Sequence, residues 1–217
     1  MRIRGAIFDV DGTLLDSMEV WDSIGENYLR SIGYEPKENL KETFQNMSLQ
    51  QAACYYQTEY CVTLGIDEIM AGVNAMLKRY YFSKVPLKAG AAEMLEWLRG
   101  NGVKLCIATA TDRNLVEGAL ERCGVLHYFD GLFTCSEVGH GKDEPHIFEA
   151  ALRFLGTPKA ETAVFDDALY AVRTAKEAGF LVAAVYDSHE KARDEVRLLS
   201  DLYLEDLTQI YKLKRLQ

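Results

Sequence analysis

Short, nearly continuous apolar runs alternate with amphipathic stretches along this chain. Ile3–Phe8, Lys104–Ala108, Leu132–Cys135, Thr162–Phe165 and Leu181–Val185 are β-rich runs that read as buried strands, and Leu202–Leu204 is a weaker one. Between them, Ala89–Asn101, Arg113–Cys123, Pro145–Leu155 and Ala168–Ala178 carry apolar residues at helical spacing. Gly102, Gly124, Gly156 and Gly179 stand where helix C-termini favour glycine. Strand and helix in alternation predict right-handed βαβ units. The expected fold class is therefore α/β, with a Rossmann-like parallel sheet core and helices on both faces.

One stretch breaks the alternation. From about Asp16 to Phe82 the pattern is helix after helix, with Trp21, Tyr28, Leu29, Tyr55, Tyr56, Tyr60, Ile69, Val73, Met76, Leu77 and Tyr80 at helical spacing. This predicts an inserted α-helical cap domain over residues 16–83, with the Rossmann-like core formed by 1–15 and 84–217. The connections, near Leu15–Ser17 and Ser83–Leu87, read as hinge strands. Cys54 and Cys61, seven apart, read as part of the cap's own core.

Composition narrows the function classes. The chain has 217 residues, 24 Lys and Arg against 33 Asp and Glu, and a formal net charge of −9. That balance argues against nucleic acid as the main partner, because phosphate backbones need clustered cations. It leaves room for a small anion whose charge is met locally. No apolar run approaches the roughly 20 residues of a membrane span, and the N-terminal run is too short for a signal core. Five cysteines form no CxxC pair, which predicts reduced thiols and a cytoplasmic location. A monomer or weak dimer is expected.

Ligands of open parallel sheets bind beyond the carboxyl ends of the strands. Here those ends supply Asp9-Val10-Asp11-Gly12-Thr13, Thr109-Ala110-Thr111, Gly139-His140-Gly141-Lys142 and Asp166-Asp167. Carboxylates, hydroxyls and a single lysine at one sheet edge suit a hard divalent cation together with a phosphate. His140 and His146 show no metal-ligand spacing and read as loop residues. The Gly139–Lys142 stretch is no nucleotide P-loop, since Ser136 and Asp143 stand where glycine and Ser or Thr are required.

DVDGTLLDS, ATAT, GKDEPHIF and VFDDALYAVRTAKEAGF resemble, in order, the four motifs of the haloacid dehalogenase superfamily. The match is closest to its branch of phosphatases and β-phosphoglucomutase-like enzymes with a helical cap. The resemblance implies Asp9 as nucleophile and Asp11 as general acid and base. It implies a phosphate held by Thr109, the Ala110 region and Lys142, and Mg²⁺ held by Asp9, Asp11, Asp167 and Asp166. The implied substrate is a small phosphorylated metabolite, a sugar phosphate among the candidates, and the reaction is phosphomonoester hydrolysis. The alternative is hexose-phosphate mutase chemistry. The chain departs from the usual pattern at Asp143, Glu144 and His146 beside the lysine, and at Asp166 where Glu is common. In the cap, Trp21, Asn46 and Met47 are the candidates for substrate selection. Gln45-Asn46-Met47-Ser48-Leu49 carries no cation where a mutase would want an arginine.

Overall fold

A computed structural model describes residues 3–38, 40–44, 47, 49–209 and 212–213. Strand β1 (Gly5–Phe8) leads into helices α1 (Met18–Ser31), α2 (Leu40–Phe44), α3 (Leu49–Tyr60) and α4 (Ile66–Ser83). Helix α5 (Ala91–Gly100) follows, then β2 (Lys104–Thr109), α6 (Arg113–Arg122), β3 (Gly131–Thr134), α7 (Cys135–Val138) and α8 (His146–Leu155). The chain continues through β4 (Thr162–Asp166), α9 (Leu169–Glu177), β5 (Leu181–Val185), α10 (Arg193–Leu199) and β6 (Leu202–Leu204). The expected α/β architecture with a helical insert is what forms. Two elements lacked a readable period: α7 has a single turn, and α10 buries only Val196.

Two compact units result, one of residues 1–16 with 85–217 and one of residues 17–84. In the first, six parallel strands run in the order β3-β2-β1-β4-β5-β6. Successive strands step outward from β1 through β2 to β3, and the chain then returns to the other side of β1. The order reverses between β1 and β4, so the crevice of the sheet lies at their carboxyl ends. Register brings Phe8 opposite Phe165, with rings stacked 4.2 Å apart. Side chains alternate along a strand, so the next residues, Asp9 and Asp166, share the opposite direction at neighbouring strand ends. Four of the helix-ending glycines, Gly102, Gly124, Gly156 and Gly179, have positive φ, as the sequence pattern predicts.

The connections to the insert lie side by side within the sheet unit. Leu15 bridges Leu87 in antiparallel fashion, Asp16 N–H donates to the Pro86 carbonyl, and Lys88 N–H donates to that of Leu14.

In the helical unit, Tyr28, Phe44, Tyr55, Tyr56 and Tyr60 form a chain of ring contacts. The Tyr56 hydroxyl donates to the Gly25 carbonyl at 2.9 Å. Glycine at position 72 lets α4 approach α1 closely, since a Cβ there would stand 2.5 Å from the Tyr28 ring. Cys54 and Cys61 are exposed, contrary to expectation. Helix α3 buries Ala52, Ala53 and Tyr56 instead, and the helix ends before Cys61, which takes a left-handed φ of 54°.

The Phe8–Phe165 pair lies under the crevice and is fully buried. Phe165→Ala should cost about 3–5 kcal/mol in urea unfolding, the usual loss for a core aromatic; a loss below about 1 kcal/mol would contradict this packing.

Candidate active site

The residue after β1 sets the site. Asp9 continues the ladder, its N–H donating to the Phe165 carbonyl at 2.9 Å. The chain then turns sharply, with Val10 accepting from both Leu14 and Leu15 N–H. Gly12 makes the turn with φ +82°, and an added Cβ would come within 2.4 Å of Asp167 Oδ2. No other residue fits both constraints. Thr13, buried by the turn, donates its hydroxyl to Asp167 Oδ1 at 2.9 Å. The first and fourth motifs are thereby tied together across 154 residues.

Lys142 reaches the same place from β3. Thr134 ends that strand and caps α7, its hydroxyl accepting the Glu137 N–H at 3.2 Å. Arg113 of α6 holds Glu137 with two contacts of 2.6 and 2.8 Å and donates to the Leu132 carbonyl. Gly139 then ends α7 in a left-handed conformation, and the loop delivers Lys142 into the interior. Its ammonium pairs with Asp9 Oδ1 and with Asp166 Oδ2, the latter at 2.8 Å. Asp166 Oδ1 accepts the Ala168 N–H at 3.1 Å, so this aspartate is held at both oxygens.

Asp9, Asp166 and Asp167 each bring a carboxylate oxygen within 4.8 Å of the others, and all three are buried. Burial pushes the Asp9 carboxyl up to about 7; Asp166 and Asp11 add to the rise, and Lys142 opposes it. Burial also raises Asp167 well above the usual carboxylate range, with the charges of Asp166 and Asp9 adding to it. Lys142 is held above its ordinary value: burial works against its charge, but Asp166 and Asp9 outweigh it. One ammonium thus faces three crowded carboxylates, leaving negative charge in excess. An all-oxygen donor set with that excess fits a hard divalent cation, which would invert the local field.

Asp11 stands apart from this cluster. Its Oδ2 accepts the Thr111 hydroxyl at 2.6 Å, a bond across 100 residues from the end of β2. Thr109, fully buried, accepts the Thr111 N–H at 3.2 Å, while Ala110 is exposed. The Thr111 hydroxyl, bonded to Asp11, is thereby engaged away from the start of α6. Asp112 holds the N-cap position of α6 without a side-chain capping bond. Tyr170 is a neighbour that sequence reasoning missed, and Thr111, named at its strand end, was given no partner there. Tyr170 lies in the first turn of α9, where burial and then Asp166 push its phenol up.

Of the candidates in the helical unit, Trp21 donates its indole N–H to the Tyr81 hydroxyl at 2.8 Å, and Met47 is half-buried. Asn46, Gln45 and Ser48 lie outside the described residues. His140 and His146 are exposed, in keeping with the surface role read from the sequence. Both reach Glu144, a grouping hidden in sequence because spacings of four and two in a turning loop follow no regular period.

The profile of the haloacid dehalogenase-like hydrolases matches residues 3–179. The chain belongs to that family. Among the relatives of this haloacid dehalogenase-like hydrolase is validoxylamine A 7'-phosphate phosphatase of Streptomyces hygroscopicus subsp. limoneus. The two are 27% identical over 205 residues, 94% of each chain. A phosphorylated carbohydrates phosphatase of Thermotoga maritima is 24% identical over 82% of each chain. In fold, the chain is similar to a solved T. maritima structure provisionally described as a beta-phosphoglucomutase. Their TM-score is 0.87 at 22% identity, over 99% of this chain and 100% of that one. This haloacid dehalogenase-like hydrolase is an enzyme of the phosphatase type. Among the described residues, no helix is long and apolar enough to cross a membrane.

The crowded acids have a consequence for stability. Asp9 rises from 3.8 to about 7 on folding, so the native state holds more protons than the unfolded chain between those values. Stability without metal should therefore fall as pH rises from about 4 to about 7, and Asp167, raised in the same direction, should add to the fall. Mg²⁺ should restore it at the upper end. The check is a set of melting temperatures in chelator and in Mg²⁺ across that range. A metal-free Tm that climbs steadily toward pH 7, with no gain from Mg²⁺, would contradict the charge crowding.

Proposed function

We propose that this protein hydrolyses a small phosphomonoester, a phosphorylated carbohydrate in the first instance, with Mg²⁺ and through a phosphoryl group carried on Asp9. The observation that carries the reading is the meeting of Asp9, Lys142, Asp166 and Asp167 at the sheet's reversal point, with Asp11 held separately by Thr111. The names of the two phosphatase relatives support the carbohydrate class.

Asp9 attacks phosphorus through a carboxylate oxygen, and the bond to the substrate's ester oxygen breaks. Asp11 gives its proton to that leaving oxygen. A water then attacks the phosphoaspartate, gives its proton to Asp11, and releases inorganic phosphate with Asp9 restored as a carboxylate. Thr111 keeps Asp11 directed by its hydroxyl bond. Lys142, the Thr109 hydroxyl and the Ala110 backbone balance and orient the phosphoryl oxygens. Asp9 and Asp167 would hold Mg²⁺ with the Asp11 region, and Asp166, already engaged at both oxygens, would support it through water. The ion supplies charge neutralisation and alignment of phosphate with nucleophile.

Hydrolysis is preferred to the mutase reaction because residues 45–49 of the insert carry no cation for a second phosphate. An unpaired dianion in such surroundings is costly.

Asp9→Asn should lower kcat by at least roughly 10⁴-fold and abolish any phosphoenzyme trapped by acid quench. Asp11→Asn should lose about 10²–10⁴-fold with an alkyl phosphate and less with an aryl phosphate, whose leaving group needs no acid. Chelation should stop turnover, Mg²⁺ should restore it, and Ca²⁺ should serve poorly because its shell is looser. Turnover that survives either Asp9→Asn or excess chelator would refute the mechanism. A screen of phosphorylated sugars should release free phosphate. β-Glucose 1-phosphate with a trace of 1,6-bisphosphate, if converted to glucose 6-phosphate faster than phosphate is freed, would instead establish the mutase.

A further inference from the structure

A second group of side chains, separate from the aspartate cluster, has the make-up of a metal centre. The rings of His140 and His146 stack with centroids 3.9 Å apart and planes 13° from parallel. Both turn Nδ1 toward one oxygen: Glu144 Oε2 lies 2.6 Å from His140 Nδ1 and 3.1 Å from His146 Nδ1. Each of the three residues offers a ligand atom within 4.8 Å of the other two, and all three are exposed. Solvent ions reach them freely.

We propose that His140, Glu144 and His146 bind a zinc-class divalent cation, closing a clasp over the loop that carries Lys142. Two imidazole nitrogens converge on one carboxylate oxygen, so three ligand atoms already face a common point. A cation between them would accept a lone pair from each nitrogen and from the carboxylate oxygen. Tetrahedral Zn²⁺ with N and O ligands at about 2.0–2.2 Å sets its ligand atoms roughly 3.3 Å apart. The observed nitrogen–oxygen separations of 2.6 and 3.1 Å lie within about 0.7 Å of that spacing, and rotation of the two exposed rings out of their stack would aim both nitrogens at one ion. Three protein ligands leave the fourth position to water.

The ligand type also decides which cation. Imidazole nitrogen suits zinc, nickel and copper, whereas the all-oxygen aspartates suit magnesium. The chain would thus sort two classes of cation onto two places. Between the first and last ligand lie only Gly141, Lys142, Asp143, Glu144 and Pro145. The loop opens at Gly139, in a left-handed conformation, and ends where α8 starts at His146. A cation there would tie the start of the loop to the helix and restrain the backbone that positions Lys142.

The test uses the full chain stripped of metal, with Mg²⁺ then added in excess to occupy the aspartates. Zn²⁺ is titrated calorimetrically, and Co²⁺ is used in parallel for its ligand-field absorption. One equivalent of Zn²⁺ should bind. His140→Ala and His146→Ala should each weaken it by at least about tenfold, the least that losing a direct ligand should cost, and the double variant should abolish it. Glu144→Gln should weaken it as well. Amide exchange across residues 139–146 should slow with Zn²⁺ in the wild type and not in the double variant. A Cys54→Ser, Cys61→Ser protein, lacking the two exposed thiols, should bind as the wild type does. Wild-type affinity in the double histidine variant, loss of binding in the cysteine variant, or no Zn²⁺ bound beside Mg²⁺ would each overturn the proposal. None of these readouts depends on the hydrolytic reading.

Discussion

A buried ammonium between carboxylates is the constraint on which the rest of this structure depends. Lys142 faces Asp9 and Asp166 where burial removes most of the help from water, so the ammonium depends on the two carboxylates beside it. Removing the lysine would leave the buried carboxylates without their counter-charge, typically a loss of about 3–5 kcal/mol. The fold accordingly spends several elements on it. β1 and β4 supply the acids at neighbouring ends, and the capped turn of α7 delivers the lysine. The bond from Thr13 to Asp167 fixes the turn between the two motifs.

The set remains out of balance even so. Three acids outnumber one lysine, which is a poor arrangement for stability and a useful one for chemistry. Sites that must attract a cation and a phosphate together are expected to be strained without them, and stability is then regained on binding. The raised Asp9 carboxyl is the local expression of that tension.

Much of this was legible in the sequence because the sheet is parallel. Apolar strands buried on both faces leave their polar residues at the ends, so Asp9, Asp11, Asp166 and Asp167 could be located before any coordinates. Lys142 could be placed after a strand in the same way, but nothing local to a lysine in a loop says that it turns inward, and that reading needed the motif resemblance. The bond from Thr111 to Asp11 was hidden because a contact across 100 residues has no period. Cys54 and Cys61 were misplaced for the opposite reason: a seven-residue spacing implies one helical face only while the helix lasts, and α3 stops at Tyr60. The meeting of His140 and His146 at Glu144 had no signal because a loop turning into a helix brings together residues that no repeat connects.

The antiparallel pairing of Leu15 with Leu87 has a consequence of another kind. Two backbone segments that leave and rejoin the sheet unit side by side make the intervening chain a closed excursion. The sheet unit feels its length only through the slow logarithmic entropy of a loop whose ends are already together. An insertion of almost any size can hang from such a junction without shifting β1 against its neighbours. The same chemistry can therefore be fitted with a different head, exchanged as a cassette at a single seam.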